Sequence, residues 1–144
     1  MSLLNKGFKL NFYGIGTLEK ELMNLSASLN LEDQIYFNGT HKDINSVILD
    51  HHCLVLTSLS EGFPNVILEA MSLGVPVIAT NCMSGPLELL NDNNEVTIEQ
   101  GHFVKGKYGL LVNVDDEAGL AEAIKYYQNN EDVRKKYSEL SLYS

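Results

Sequence analysis

The apolar positions of this 144-residue chain change their spacing several times along its length. "FKLNFYG" (8–14) alternates and ends in glycine, which predicts a strand. In "TLEKELMNLSASLN" (17–30), Leu18, Leu22, Leu25 and Leu29 recur at helical spacing, with Thr17 as N-cap. "DQIYFNG" (33–39) predicts a second strand. Asp43 opens a short helix through Leu49 that buries Ile44, Val47 and Ile48. "CLVLTS" (53–58) is a continuous apolar run and predicts a fully buried strand. A helix follows from about Pro64 to Leu73, with proline at its well-tolerated first position and Gly74 at its end. "VPVIAT" (75–80) is the next buried strand, and "SGPLELL" (84–90) supplies one or two helical turns. Residues 91–108 are polar and aperiodic and are expected to form a loop or flap. "GLLVNV" (109–114) predicts a strand. Asp115 or Asp116 then starts a helix that uses Leu120, Ala123, Ile124 and Tyr127, and a polar helix covers about 131–142.

Strands that alternate with helices, with the central strands apolar throughout, predict one α/β domain over residues 1–144. Its Rossmann-like parallel sheet would carry helices on both faces. Ligands of such sheets bind beyond the carboxyl ends of the strands. That draws attention to the loops at 14–17, 38–43, 57–65 and 80–86.

Composition narrows the function. The hydrophobic share of 44% is sufficient for a core. A formal net charge of −9 argues against a general nucleic-acid or anionic-membrane surface. A local anion site built from backbone amides stays open. Cys53 and Cys82 lie beside apolar runs without C-x-x-C spacing, and are expected to be reduced and buried, consistent with a cytoplasmic protein. No apolar run approaches a membrane span, and the start of the chain lacks the apolar segment of a signal peptide.

Four stretches carry candidate chemistry. "YGIGT" (13–17) is either a phosphate-approaching turn or a tight strand-to-helix turn, because Glu19 stands where the dinucleotide fingerprint needs its third glycine. "HHC" (51–53) does not suit a metal, since adjacent residues entering a strand point to opposite faces. In "TSLSEGFPNVILEAMSLG" (57–74), Ser60, Glu61, Gly62 and Phe63 follow a buried strand on the ligand side. The backbone N–H groups of Gly62, Phe63 and Asn65 lie at a helix start that favours anions. Asn65, Glu69 and Ser72 fall at i, i+4 and i+7, a single polar stripe on an otherwise apolar helix. That stripe faces either a thin band of solvent or a cleft, where two ligand hydroxyls would satisfy the Glu69 carboxylate. "NCMSGPLELL" (81–90) offers another helix start on the same side, or an ordinary capped turn.

Taken together, "SEGFPNVILEAMSLGVPVIAT", "GPLELL" and "YGLLV" resemble the nucleotide-sugar-binding half of glycosyltransferase family 4, retaining enzymes of the GT-B fold. Glu61 and Glu69 form its E-x7-E motif, and "GIGTLEKEL" and "IYFNGTHKDI" match weaker family stretches in the expected order. The resemblance implies that Glu61, the catalytic assignment, contacts hydroxyls of the donor sugar. It implies that the amides around Gly62 and Phe63 hold the sugar or diphosphate, and that Glu69 binds the ribose hydroxyls. Asn38 and Gly39 would lie near the base, and the Gly14–Gly16 turn would line the phosphate end of the cleft. It further implies no cofactor and no required metal. The expected partners are a nucleoside-diphosphate sugar and, in the full enzyme, a glycan or lipid-linked acceptor used in surface polysaccharide or lipopolysaccharide synthesis at the inner face of a membrane.

Two parts of the family pattern are not found in the sequence: the acceptor-binding Rossmann-like half, and the first strand of this half with its diphosphate-clamping Arg and Lys. The chain is therefore expected to be a fragment with weak donor binding and no turnover alone. Loss of the central strand would leave the strands at 9–13 and 53–57 without their shared neighbour. Closure of that gap, a poorly packed edge, or a dimer through the exposed edge would follow. A non-catalytic nucleotide or sugar-phosphate binding module is the alternative reading. A flavodoxin-like signalling domain is disfavoured, because no acidic cluster follows the first strand.

Overall fold

Short β-branched and leucine-rich runs, alternating in large part with helices whose apolar residues recur every three or four positions, set the architecture. A computed structural model of the chain describes residues 9–12, 34–38, 43–56, 65–81 and 86–142. The chain divides into two compact units, residues 1–44 and 45–144. In the first, β1 (Leu10–Phe12) and β2 (Ile35–Phe37) pair in parallel, with Leu10 opposite Ile35 and Phe12 opposite Phe37. The helix predicted over 17–30 lies outside the described residues.

The second unit opens inside α1 (Ile44–Leu49), whose Val47 and Ile48 are buried while Leu49 is exposed. Its sheet contains β3 (Leu54–Leu56), β4 (Val77–Thr80), β5 (Phe103–Lys105) and β6 (Leu110–Val112), in the order β3-β4-β6-β5. β3, β4 and β6 run parallel. β5, in a segment expected to be a loop, runs antiparallel to β6, so the otherwise parallel sheet is mixed. Among the described residues the unit has four further helices: α2 (Asn65–Ser72), α3 (Pro86–Asn91), α4 (Glu117–Asn129) and α5 (Glu131–Leu142).

Strand alternation divides the core between the two faces of the sheet. The register aligns Val55, Ile78 and Leu110 across β3, β4 and β6, and Phe103 with Val112 across β5 and β6. This face packs on Ala123 and Tyr127 of α4 and on Tyr137 of α5. On the other face, Val77, Ala79 and Leu111 are fully enclosed, as are Ile67 and Ala70 of α2 and Leu90 of α3. α2 packs on β3 and β4, and α3 packs on β6. Two tyrosine hydroxyls anchor the helices to the backbone: Tyr127 donates to the Val77 carbonyl at 3.0 Å, and Tyr137 to the Gly106 carbonyl at 2.7 Å. The last helix, polar by sequence, is thus held from inside.

α2 ends in a left-handed turn at Gly74, with φ of 73°. The Gly74 amide reaches the Met71 carbonyl and the Val75 amide the Ala70 carbonyl, which uses two of the helix's last carbonyls. A Cβ on Gly74 would stand 2.9 Å from Ser138 Oγ, so glycine is also what lets α5 approach. Between Asp115 and Asp116, the second is the N-cap of α4: Asp116 Oδ1 accepts from the Gly119 amide at 3.0 Å. Asp115 takes a left-handed φ of 58° in the preceding turn.

Two expectations are corrected. Residues 91–108 include β5, recognisable only because Phe103, Val104 and Lys105 pair with β6. β3 is half-buried at all three positions rather than fully buried, because among the described residues it pairs with β4 alone. Cys53, at its threshold, is likewise half-buried as a residue. No described helix is long and apolar enough to cross a membrane.

Candidate functional site

The parallel strands run toward one end of the sheet, where α2 and α3 begin. Asn65 is the first residue of α2. Ile67, Ala70 and Met71 turn into the core and Val66 is half-buried. The opposite side presents Leu68 and Ser72, both exposed, with Glu69 half-buried beside them. Ser72 Oγ is taken up by the Glu69 backbone carbonyl at 2.8 Å, so the stripe expected from Asn65, Glu69 and Ser72 is in part self-bonded. The Glu69 carboxylate has no hydrogen-bond or ion-pair partner among the described residues. A half-buried carboxylate with both oxygens open can accept two hydroxyl groups at once.

Asn38, in the first unit, is exposed just beyond β2 and donates from Nδ2 to Asn11 Oδ1 at 3.0 Å. Gly14, Gly16, Gly39, Ser60, Glu61, Gly62 and Phe63 lie outside the described residues. So do Ser84 and Gly85, while Pro86 opens α3 and is fully buried. The carboxyl ends of β4 and β6 are closed by the Asn81 amide, which donates to the Val112 carbonyl at 2.7 Å.

Residues missed by pattern reading organise the segment between α3 and β6. Asp116 is buried and uses both carboxylate oxygens, Oδ1 on Gly119 and Oδ2 on the Gly101 amide at 2.7 Å. Asn113 Nδ2 donates to the Ile98 carbonyl at 2.8 Å. Asn91 Oδ1 accepts from the Lys107 amide at 3.0 Å, and Lys107 Nζ pairs with Asp92 at 2.8 Å on the surface. The predicted flap is therefore pinned at both ends. The "VDDE" run signals a helix start in the sequence, but nothing in it signals the long-range bond to Gly101.

Among the described residues the histidines do not converge. His51 Nδ1 is 2.6 Å from the Val47 carbonyl, at the end of α1, and His52 is exposed. Among the described residues, no group of three or more His, Cys, Asp and Glu side chains is placed to hold a metal. Cys53 Sγ donates to the Leu54 carbonyl at 3.4 Å, and burial of the sulfur pushes its thiol up to about 12. A shallow groove of about 270 Å³ lies at the opposite, amino end of the sheet, lined by His52, Pro76, Glu131, Arg134, Lys135 and Ser138. Its Arg134 is engaged in capping α4, donating to the Tyr127 and Gln128 carbonyls.

This arrangement of parallel strands and helices defines an α/β protein of the GT-B glycosyltransferase type. Solved structures share the fold. Anabaena Alr3699/HepE in complex with UDP superposes with a TM-score of 0.80 at 23% identity, over 98% of this chain and 36% of that one. WaaG, a glycosyltransferase involved in lipopolysaccharide biosynthesis, gives 0.78 at 15% identity, over 99% and 36%. Residues 1–141 match the family described as Glycosyl transferases group 1, and the chain belongs to that family of transferases. Among curated relatives, an uncharacterized glycosyltransferase, MJ1059 of Methanocaldococcus jannaschii, is 33% identical over 146 residues, covering 90% of this chain and 36% of the relative. The lipopolysaccharide 1,6-galactosyltransferase of Escherichia coli K12 is 28% identical over 144 residues, covering 90% and 39%. The chain thus spans roughly a third of the length of these relatives.

Proposed function

We propose that this chain is the donor-binding domain of a retaining glycosyltransferase of family 4. The full enzyme would move a sugar from a nucleoside-diphosphate sugar to an acceptor hydroxyl, with no metal or other cofactor required. The acceptor would be a glycan or a lipid-linked glycan in surface polysaccharide or lipopolysaccharide synthesis, at the cytoplasmic face of a membrane. A further Rossmann-like half would bind it. Support comes from the relative that is a lipopolysaccharide galactosyltransferase and from structural neighbours bound to UDP and to UDP-glucose. In this reading Glu61 contacts the donor sugar, with Ser60, Gly62, Phe63 and Asn65 beside it. Asn38 and Gly39 lie toward the base, Gly14 and Gly16 toward the phosphates, and Glu69 takes the ribose diol.

The observation that carries the proposal is Glu69: a half-buried residue whose carboxylate has no partner among the described residues, on a helix whose other side is core. A hydrogen bond to a charged group is worth about 1.5–3 kcal/mol, so losing it weakens binding roughly 10- to 150-fold. Calorimetry with UDP, and with its 2′-deoxy analogue, checks this. We expect Glu69→Gln to weaken UDP binding at least tenfold and to abolish the preference for the ribonucleotide. Equal affinities in the two proteins would overturn the assignment.

The second reading, a nucleotide or sugar-phosphate binding module without turnover, describes the chain acting alone, since it spans only about a third of its relatives. We expect no transfer when the purified chain is incubated with UDP-sugars and acceptors. Transfer under those conditions would refute that expectation.

A further inference from the structure

Asn38 is the only asparagine in the sequence that is followed by glycine. Such a pair carries a reaction of its own. The backbone nitrogen of the second residue attacks the side-chain carbonyl carbon of the first, and only glycine offers that nitrogen without a Cβ beside it.

The structure places Asn38 where this reaction is least restrained. It stands just after the last residue of β2, outside the ladder with β1, and is exposed to water. Other described asparagines are placed differently. Asn45, Asn65, Asn91 and Asn129 lie within helices, whose fixed backbone resists ring closure. The Asn113 side-chain amide is committed to the Ile98 carbonyl. Asn38 Nδ2 donates to Oδ1 of Asn11, the middle residue of β1, at 3.0 Å. Ring closure expels that same nitrogen, so the bond to Asn11 is given up on the way and acts as a brake.

We propose that Asn38 is the site of spontaneous deamidation in this chain, and that its bond to Asn11 governs the rate. In the first step the Gly39 nitrogen bonds to Cγ of Asn38 and the Cγ–Nδ2 bond breaks. Ammonia leaves, taking the proton of the Gly39 amide. In the second step water opens the cyclic imide at either carbonyl and leaves aspartate or isoaspartate. The product carries one more negative charge than the formal −9 of the unmodified chain. Its carboxylate only accepts hydrogen bonds, so it meets Asn11 Oδ1 oxygen against oxygen, and the side-chain tie from this residue to β1 is lost. Isoaspartate also lengthens the backbone by a carbon immediately after β2. Neither the chemistry nor its test calls on a nucleotide, so both stand apart from the donor-site reading of Asn38.

Incubation of the whole chain at mildly alkaline pH and body temperature tests it. Fragmentation mass spectrometry locates the converted residue, and labelling by an isoaspartyl methyltransferase reports isoaspartate. Conversion should appear at position 38 before it appears at any other asparagine. Gly39→Ala should slow it at least tenfold. Asn11→Ala removes the acceptor, and the worth of a neutral hydrogen bond sets the expected acceleration at about two- to tenfold. Asn11→Asp keeps an acceptor in that place and should react no faster than the wild type. An amide that survives at position 38 while other asparagines convert would overturn the proposal. So would equal rates in the wild type and Asn11→Ala. Equal acceleration by Asn11→Ala and Asn11→Asp would overturn it as well, since a loosened strand rather than a lost bond would then set the rate.

Discussion

Replacing Tyr127 by phenylalanine deletes one hydroxyl from the centre of the core and keeps the ring. That hydroxyl donates to the Val77 carbonyl at 3.0 Å, on a residue only 2% exposed. A buried neutral hydrogen bond of this kind contributes about 1 kcal/mol net, so near neutral pH Tyr127→Phe should be less stable by about that amount. Alkaline pH works the other way. Burial, reinforced by the neighbouring Cys53 and Tyr137, holds the Tyr127 hydroxyl well above its ordinary value. The folded chain keeps this proton, whereas the unfolded chain releases it near pH 10. A raised folded pKa gives stability that is complete below the unfolded value and is lost as pH climbs from there toward the folded value. About one unit above, near pH 11, the loss is about 1.4 kcal/mol, and Tyr127→Phe escapes it. The wild-type advantage of about 1 kcal/mol near pH 8 should therefore shrink to about zero, or reverse slightly, near pH 11. Cys53 and Tyr137, both pushed up to about 12, titrate in both proteins and largely cancel from the difference. Urea unfolding followed by far-ultraviolet circular dichroism at the two pH values measures it. A stability difference that does not change with pH would refute the reasoning, because the hydroxyl would then not be shielded from solvent.

Asp116→Ala removes an N-cap and the tie to Gly101 together, and should cost about 1–2 kcal/mol, with faster exchange of the Gly101 amide as its local signature. Equal Gly101 exchange in the two proteins would show that the Asp116 bond does not hold the segment. Because its thiol is held near 12, Cys53 should be alkylated by iodoacetamide many times more slowly in the native chain than in urea at neutral pH. Peptide mass mapping separates this signal from Cys82, and equal rates would contradict the burial of the sulfur.

The elements legible in the sequence were those whose apolar residues are enclosed by their immediate neighbours. Ile67, Ala70 and Met71 mark the inner side of α2 by spacing alone, and the run through Val77, Ile78 and Ala79 marks a fully enclosed strand. β3 has the same character in sequence, but burial also depends on the strand alongside, and no residue of "CLVLTS" records whether one is there. β5 was illegible for the converse reason: three residues amid polar neighbours become a strand only through pairing with β6. Either aspartate of "VDDE" could cap α4, and the choice falls on the one whose carboxylate reaches both Gly119 and Gly101. Within the candidate site, Glu69 was singled out by its polarity on an apolar helix. Glu69 is half-buried on that helix, whereas Ser72, grouped with it by spacing, turns back to the helix backbone.

The chain has seven tyrosines and no tryptophan, so its ultraviolet emission is tyrosine emission alone. Tyr127 and Tyr137 stand edge to face with ring centres 6.1 Å apart, each hydroxyl bonded to a backbone carbonyl. Hydrogen bonding of a phenol to a peptide carbonyl quenches its fluorescence, and rings this close exchange excitation. The intact core is thus a sink for the light absorbed by the tyrosines around it. Loss of the α4–α5 packing separates the rings and frees the hydroxyls, so the chain brightens as it unfolds and carries a reporter of its own core without a label.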